Sequence, residues 1–83
     1  MYALYYRKSC PYCIKVLNAI EELGLKDHIM LCDISTKTHA DKLSEIGGKI
    51  QVPFLHGEGL KMYESHDIIA YLRSNAEKIN GER

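Results

Sequence analysis

The spacing of apolar residues changes along the chain, and each change marks a predicted element. Residues 2–6 form a short apolar and aromatic run with high strand propensity. After three polar residues, apolar side chains recur every three or four positions, which predicts a helix. Pro11 is tolerated in the first turn of this helix and Gly24 is placed to end it, so Cys10 stands at the helix N-terminus. The predicted apolar stripe consists of Cys13, Val16, Leu17, Ile20 and Leu23.

The middle of the chain predicts a strand, a helix and a hairpin. Residues 28–34 have a strand-like composition, and residues 38–41 resemble a capping box that opens a short helix. We expect this helix to end at the two glycines at 47–48. Residues 52–55 and 60–63 are predicted to form two short strands joined by a polar, glycine-containing turn.

A last helix completes the predicted fold. Ser65 is predicted to be its N-cap, and we expect a polar tail at residues 77–83 to fray. Its predicted inner face is Ile68, Ile69, Leu72 and Ala76. Because a βαβ crossover is parallel and a hairpin is antiparallel, the order βαβαββα predicts an α/β fold with a four-stranded mixed sheet flanked by three helices. A chain of 83 residues holds one hydrophobic core, so we predict a single domain over residues 1–83.

Charge and composition limit the partners that we expect. The 11 basic and 11 acidic residues give a formal net charge of zero, which provides no long-range attraction for nucleic acid or an anionic membrane. The longest apolar runs fall well short of the ~18 residues that span a bilayer. Residues 1–8 lack the pattern of a secretion signal. We therefore expect a monomeric cytoplasmic protein with a small or transient partner.

Cys10 and Cys13 are the candidate reactive groups. A thiol attacks a disulfide only as its thiolate, and an ordinary cysteine with a pKa of ~8.5 is about 3% ionised at pH 7. Cys10 is predicted to open a helix and lies near Arg7 and Lys8, and each of these features lowers a thiol pKa. Cys13, one turn later, is placed to attack a mixed disulfide formed on Cys10.

Other interpretations of the cysteines remain open at this point. The pair could form a structural disulfide or half of a zinc site, although a single C-x-x-C lacks the second ligand pair of a zinc finger, and we expect no metal. Cys32 lies in a predicted strand, where a free cysteine usually acts as a small buried apolar residue. The alternative for Cys32 is an oxidisable regulatory thiol.

The sequence Cys10-Pro11-Tyr12-Cys13, preceded by Lys8 and followed much later by Val52-Pro53, resembles the glutaredoxin family over essentially its whole length. C-P-Y-C is the typical signature of dithiol glutaredoxins. The resemblance implies a thioredoxin fold, a cis peptide bond before Pro53 and glutathione as co-substrate. An ordinary edge-strand proline is the alternative for Pro53.

The resemblance also implies which residues bind glutathione. The backbone of Val52 would bind its cysteinyl part, Pro53 would lie against the redox pair, and Tyr12 would flank the substrate. Lys8, with Gln51 or Lys49, would meet the glycine carboxylate.

By the same match, the start of the last helix would bind the γ-glutamyl end of glutathione. Amide groups at Ser65, His66 and Asp67 would take the carboxylate, and the Asp67 side chain would take the ammonium. Helix capping by Ser65 and Asp67 is the alternative.

Two segments depart from the common glutaredoxin pattern. Gln51 precedes Val52-Pro53 where many members have threonine, and residues 63–68 replace a Gly-Gly pair. The second segment, with Tyr71-Leu72 after it, resembles the N-terminal domain of glutathione transferases and of transferase-like glutaredoxins. Those relatives add a helical domain with a pocket for an apolar substrate, so a transferase reaction is not expected of these 83 residues.

The resemblance therefore implies a glutathione-dependent thiol–disulfide oxidoreductase. Its partners would be disulfide-containing or glutathionylated proteins, with Cys10 as nucleophile and Cys13 as resolving thiol. One alternative is an iron–sulfur cluster carrier, in which two chains each supply Cys10 and a bound glutathione. Another is a transferase-like module that binds glutathione without catalysis.

Overall fold

The computed structural model describes residues 1–81, and the predicted order of strands and helices is confirmed. The strands are β1 (Tyr2–Tyr6), β2 (Ile29–Asp33), β3 (Phe54–Gly57) and β4 (Leu60–Met62). The helices are α1 (Pro11–Glu22), α2 (Lys37–Gly47) and α3 (Ser65–Gly81). A short 3-10 turn at Lys26–His28 leads into β2. Within residues 1–81, no helix is long and apolar enough to cross a membrane.

The four strands form one mixed sheet in the order β2-β1-β3-β4. β1 is parallel to β2 and antiparallel to β3, and β3 is antiparallel to β4. This is the predicted α/β architecture of the thioredoxin fold, with β1 inside the sheet. Because β1 is hydrogen-bonded on both sides, its carboxyl end is a fixed point from which the loop to α1 starts.

Alternating side chains of β1 supply two hydrophobic cores, one on each face of the sheet. On one face, Tyr2 and Leu4 pack in a cluster with residues of α1 and α3. On the other face, Tyr5 packs in a cluster with Leu43 of α2 and Cys32 of β2. Cys32 is buried, which confirms its predicted place in the core. Each large apolar side chain buried in this way contributes about 1.5–3 kcal/mol.

The hairpin is tighter than the sequence predicted. The first strand begins at Phe54 rather than at residue 52, and the turn contains two residues, Glu58 and Gly59. Their φ angles of 51° and 81° are both positive, as in a type I′ turn, whose twist matches that of paired strands. The predicted four-residue turn is therefore wrong.

Two predicted helix starts are also wrong by one or two residues. Thr36 is the N-cap of α2, and its carbonyl accepts from the amides of His39 and Ala40, so the predicted capping box at 38–41 lies inside the helix. Ser65 is the first helical residue of α3 rather than its cap. The carbonyl of Glu64 accepts the first i+4 bond, from Ile68 at 2.8 Å.

The end of α3 is more ordered than its polar composition suggested. The helix continues to Gly81, and Ile79 is 4% exposed in the core. Ile79 follows Leu72 by two helical turns and so extends the same apolar face. The Asn80 side-chain amide donates to the Leu23 carbonyl at 3.2 Å. The prediction that the chain frays from residue 77 is therefore wrong for residues 77–81, which are helical. Residues 82–83 lie outside the described residues.

Gly57 provides a test of the packing between β3 and β1. It has a φ of 146°, and an added Cβ would lie 2.7 Å from the Met1 carbonyl oxygen and 2.8 Å from the Tyr2 Cα. We expect Gly57→Ala to lower the free energy of unfolding by about 2–3 kcal/mol, because both obstacles are backbone atoms.

Gly59→Ala is the matched control. Its φ is also positive, but no heavy atom lies within 4 Å of an added Cβ, so we expect about 1 kcal/mol. Urea denaturation of the two variants measures both values. Equal losses would contradict the proposed backbone contact at Gly57.

Candidate functional site

Cys10 is the N-cap of α1, as the sequence predicted. Its backbone is extended, with φ −87° and ψ 115°, and its carbonyl accepts from the Ile14 amide at 3.0 Å. Its sulfur accepts a hydrogen bond from the Cys13 amide at 3.3 Å. The thiol therefore occupies the position in which a capping side chain satisfies a free N–H group of the first helical turn.

The surroundings of Cys10 favour its thiolate. Burial raises the pKa of the Cys10 thiol, but hydrogen bonds from the Cys13 thiol and amide and from the Tyr12 amide lower it, as does the Arg7 charge. The net pKa lies below the ordinary value. Lys8, which was also expected to contribute, has its ammonium 4.0 Å from the Asp33 carboxylate and is 81% exposed.

Cys13 has the opposite properties. Its side chain is fully buried, and burial raises its pKa to about 11. Cys13 is therefore a neutral thiol at pH 7. Both cysteines are free thiols, and Cys10 is the more accessible of the two. One turn of helix thus holds an accessible thiol that ionises readily and a buried thiol that does not.

An open groove of about 300 Å³ reaches Tyr12, the residue before Cys13, although neither Cys10 nor Cys13 is part of its lining. Five of the predicted glutathione-binding residues line it: Tyr12, Gln51, Val52, Pro53 and Ser65. The peptide bond before Pro53 is cis, as the resemblance implied. Tyr12 stands between the two cysteines in sequence and is 60% exposed at the groove.

Two further lining residues, Tyr63 and Glu64, were not predicted. They directly precede Ser65, in the segment whose resemblance to glutathione transferases is the sequence signal for them. Tyr63 packs on Phe54, with 4.5 Å between the ring centroids. Glu64 lines the groove directly before Ser65, the first residue of α3.

Within residues 1–81, the lining of this groove does not include Lys8, Lys49, His66 or Asp67. The Lys49 ammonium lies 4.6 Å from the centroid of the Tyr63 ring, at the margin of the groove. His66 lines a separate shallow cavity on α3 with Ile69 and Arg73. Roles for these predicted residues in glutathione binding therefore stay predictions.

The described part of the chain contains no group of three or more His, Cys, Asp or Glu side chains that could hold a metal ion.

The sequence model of the glutathione S-transferase N-terminal domain matches residues 4–81. The chain belongs to this family. Its members use glutathione as a substrate, and the match covers both cysteines, the cis proline and the first turn of α3. The similarity that residues 63–68 and Tyr71-Leu72 indicated thus extends over almost the whole chain. No curated protein matches by sequence.

Solved structures of two kinds resemble the chain. Glutathione transferase Omega 3C from Trametes versicolor has a TM-score of 0.78 at 22% identity, over 93% of this chain and 34% of that one. A glutathione S-transferase from the Antarctic clam Laternula elliptica has a TM-score of 0.68 at 25% identity, over 94% and 36%. Oxidized glutaredoxin 2 from Chlamydomonas reinhardtii has a TM-score of 0.63 at 25% identity, over 94% and 77%. The chain therefore spans about a third of the length of these transferases.

The pH dependence of alkylation tests the environment of Cys10. We expect iodoacetamide to modify Cys10 before Cys13 and Cys32, with a pH midpoint below the ~8.5 of an ordinary thiol. Arg7→Gln should raise that midpoint, because it removes a positive charge that favours the thiolate. Peptide mass spectrometry after timed alkylation measures the rate at each site and pH.

Lys8→Gln is the matched control, because it also removes one positive charge. It should not change the pH midpoint of Cys10 alkylation, since the Lys8 ammonium lies beside the Asp33 carboxylate. The same rise in both variants would show that the charge effect does not come from Arg7 specifically.

Proposed function

We propose that the protein is a glutathione-dependent thiol–disulfide oxidoreductase. The observation that carries this proposal is the difference between Cys10 and Cys13, which lie in one helical turn beside a groove lined by Tyr12 and Pro53. Thiol–disulfide exchange needs a nucleophile that is ionised at working pH and accessible to a disulfide. Cys10 is the more accessible of the two thiols, and its lowered pKa favours the thiolate.

The reduction of a protein–glutathione mixed disulfide needs only Cys10. Its thiolate attacks the glutathione sulfur, a Cys10–glutathione disulfide forms, and the protein thiolate leaves. A second glutathione thiolate then attacks the glutathione sulfur of that intermediate. This step releases glutathione disulfide and regenerates the Cys10 thiolate, so two electrons pass from two glutathione molecules to the substrate.

The reduction of a protein disulfide needs both cysteines. Cys10 attacks one substrate sulfur, which breaks the substrate disulfide, releases the other sulfur as a thiolate and forms a mixed disulfide. Cys13 then attacks the Cys10 sulfur, forms a Cys10–Cys13 disulfide and releases the second substrate thiol. The Cys13 proton passes to the departing thiolate or to water. Two glutathione molecules reduce the Cys10–Cys13 disulfide and leave as glutathione disulfide. Because Cys13 is buried and has a pKa of about 11, it reacts with the adjacent Cys10 sulfur rather than with an external disulfide.

The groove supports glutathione as the reductant. Amide groups in the first turn of α3 suit the γ-glutamyl carboxylate, and the Glu64 carboxylate suits the ammonium. In this arrangement Glu64 is better placed than Asp67, which lies outside the groove lining. Val52 and Pro53 flank the position of the cysteinyl part, and Lys8, with Gln51 or Lys49, remains our proposal for the glycine carboxylate. We also propose a cytoplasmic location, where such thiols stay reduced.

A second candidate function is a glutathione transferase reaction. It is favoured by the family match over residues 4–81. The same groove would then hold glutathione for attack on an electrophilic carbon, and Cys10 would not form a disulfide during turnover.

Cysteine variants distinguish the two candidates. With a small glutathione mixed disulfide and recycling by glutathione reductase, we expect Cys10→Ser to lose activity to background because it lacks the nucleophile. Cys13→Ser should keep this activity and lose the reduction of a protein disulfide. Measurement of NADPH consumption with wild type and both variants checks these outcomes.

Three other results would contradict the proposal. Recycling only by thioredoxin reductase would indicate a different reductant and a wrong assignment of the groove. Conjugation of an electrophile that persists in Cys10→Ser, without disulfide reduction in wild type, would establish the transferase candidate. Full protein-disulfide reduction by Cys13→Ser would remove Cys13 from the mechanism.

A further inference from the structure

We propose that Tyr63 is a positioning residue for the glutathione groove, because it holds residues 48–52, the loop before Pro53, against the start of α3. This inference rests on the proposed function only in taking glutathione as the ligand of the groove. One wall of the groove is formed by Gln51, Val52 and Pro53, and the other begins at Tyr63. The β3–β4 hairpin joins the two walls through the pairing of Leu55 with Met62, and a further contact between the walls helps to determine the shape of the groove.

The Tyr63 ring is held on more than one side. It packs on Phe54, whose side chain is fully buried and which directly follows Pro53. The Lys49 ammonium lies 4.6 Å from the Tyr63 ring centroid, within the range of a cation–π interaction. The ring therefore contacts one residue of the loop, Lys49, and the residue that follows Pro53, Phe54.

The hydroxyl of Tyr63 adds a direct bond to the loop. It donates to the carbonyl oxygen of Lys49 at 3.4 Å. This bond connects the β4–α3 junction with the segment that leaves α2, across 14 residues of sequence. Loss of the bond would free the backbone that leads to Gln51 and Val52.

Gly47 makes room for this arrangement. It is the last residue of α2, and a Cβ added there would overlap the Tyr63 hydroxyl oxygen. The next atom of the ring, Cζ, lies 3.1 Å from the same point. Alanine is otherwise preferred to glycine in a helix, so the absence of a side chain at 47 is explained by the position of Tyr63.

Deletion of the hydroxyl tests the inference. We expect Tyr63→Phe to raise the glutathione dissociation constant about twofold, because the lost hydrogen bond is long and exposed, and to raise the KM for a glutathione mixed disulfide by a similar factor. The kcat and the pH midpoint of Cys10 alkylation should not change, because the groups that lower the pKa of Cys10 are Cys13, Tyr12 and Arg7. Calorimetric titration with glutathione measures binding without any redox step.

Tyr71→Phe is the matched control. Its hydroxyl bonds to the Tyr2 hydroxyl at 2.5 Å, outside the groove lining, so this variant should lower the melting temperature without a change in glutathione affinity. A rise in the dissociation constant in both variants would show that general loss of stability, and not the position of Tyr63, weakens binding.

A double-mutant cycle with Gly47 tests the contact itself. Gly47→Ala alone should raise the dissociation constant about tenfold, because its Cβ displaces the hydroxyl. In the Tyr63→Phe background, the same substitution should have a clearly smaller effect. Additive effects would overturn the proposed contact.

The failure of this inference differs from the failure of the proposed function. Equal glutathione dissociation constants for wild type and Tyr63→Phe would overturn the role of Tyr63 and leave the proposed function untouched. Wild type that binds glutathione but reduces no disulfide overturns the oxidoreductase and leaves the role of Tyr63 to be judged by affinity. Wild type that binds no glutathione overturns both.

Discussion

The hydrogen bond from the Cys13 amide to the Cys10 sulfur connects the folding of α1 with the reactivity of the site. As an N-cap, the sulfur satisfies an amide that α1 leaves free, a contribution of about 1 kcal/mol in ordinary caps. As a thiol, Cys10 has its pKa lowered by the same amide. The direction of α1 also buries Cys13 at the first turn, so a single helix start produces both a thiol with a lowered pKa and a buried one.

The sheet brings the rest of the site to this helix start. β1 pairs with β3 so that Tyr5 is opposite Phe54, and Pro53 therefore reaches the end of β1 from which the Cys10 loop departs. β3 continues through a two-residue turn into β4, which returns the chain to Tyr63 and the first turn of α3. The Cys10 loop, Pro53 and the start of α3 therefore meet at one end of the sheet, because the pairing of β1 with β3 and of β3 with β4 places them there.

Local patterns predicted the elements well and their ends less well. The α1 stripe and the paired strands follow from side-chain spacing, which burial enforces. By contrast, the starts of α2 and α3 depend on the backbone carbonyls of Thr36 and Glu64, and every residue type has such a carbonyl. The continuation of α3 to Gly81 depends on the burial of Ile79, a single apolar residue in a polar stretch. That burial could not be predicted from the sequence, because it depends on how α3 packs on the rest of the core. Cys10 and Cys13 were identifiable because their spacing is local, whereas Tyr63 and Glu64 join the groove only through strand pairing.

The lowered pKa of Cys10 has a second consequence, for the end of the proposed reaction. A thiolate of low basicity is a weaker nucleophile once formed, but it is also displaced faster when another thiolate attacks the sulfur bonded to it. The cap that prepares Cys10 to enter a disulfide therefore also prepares it to depart. In the proposed cycle the same helix terminus thus stabilises the negative charge of Cys10 twice, before it attacks the substrate and when it leaves the glutathione disulfide.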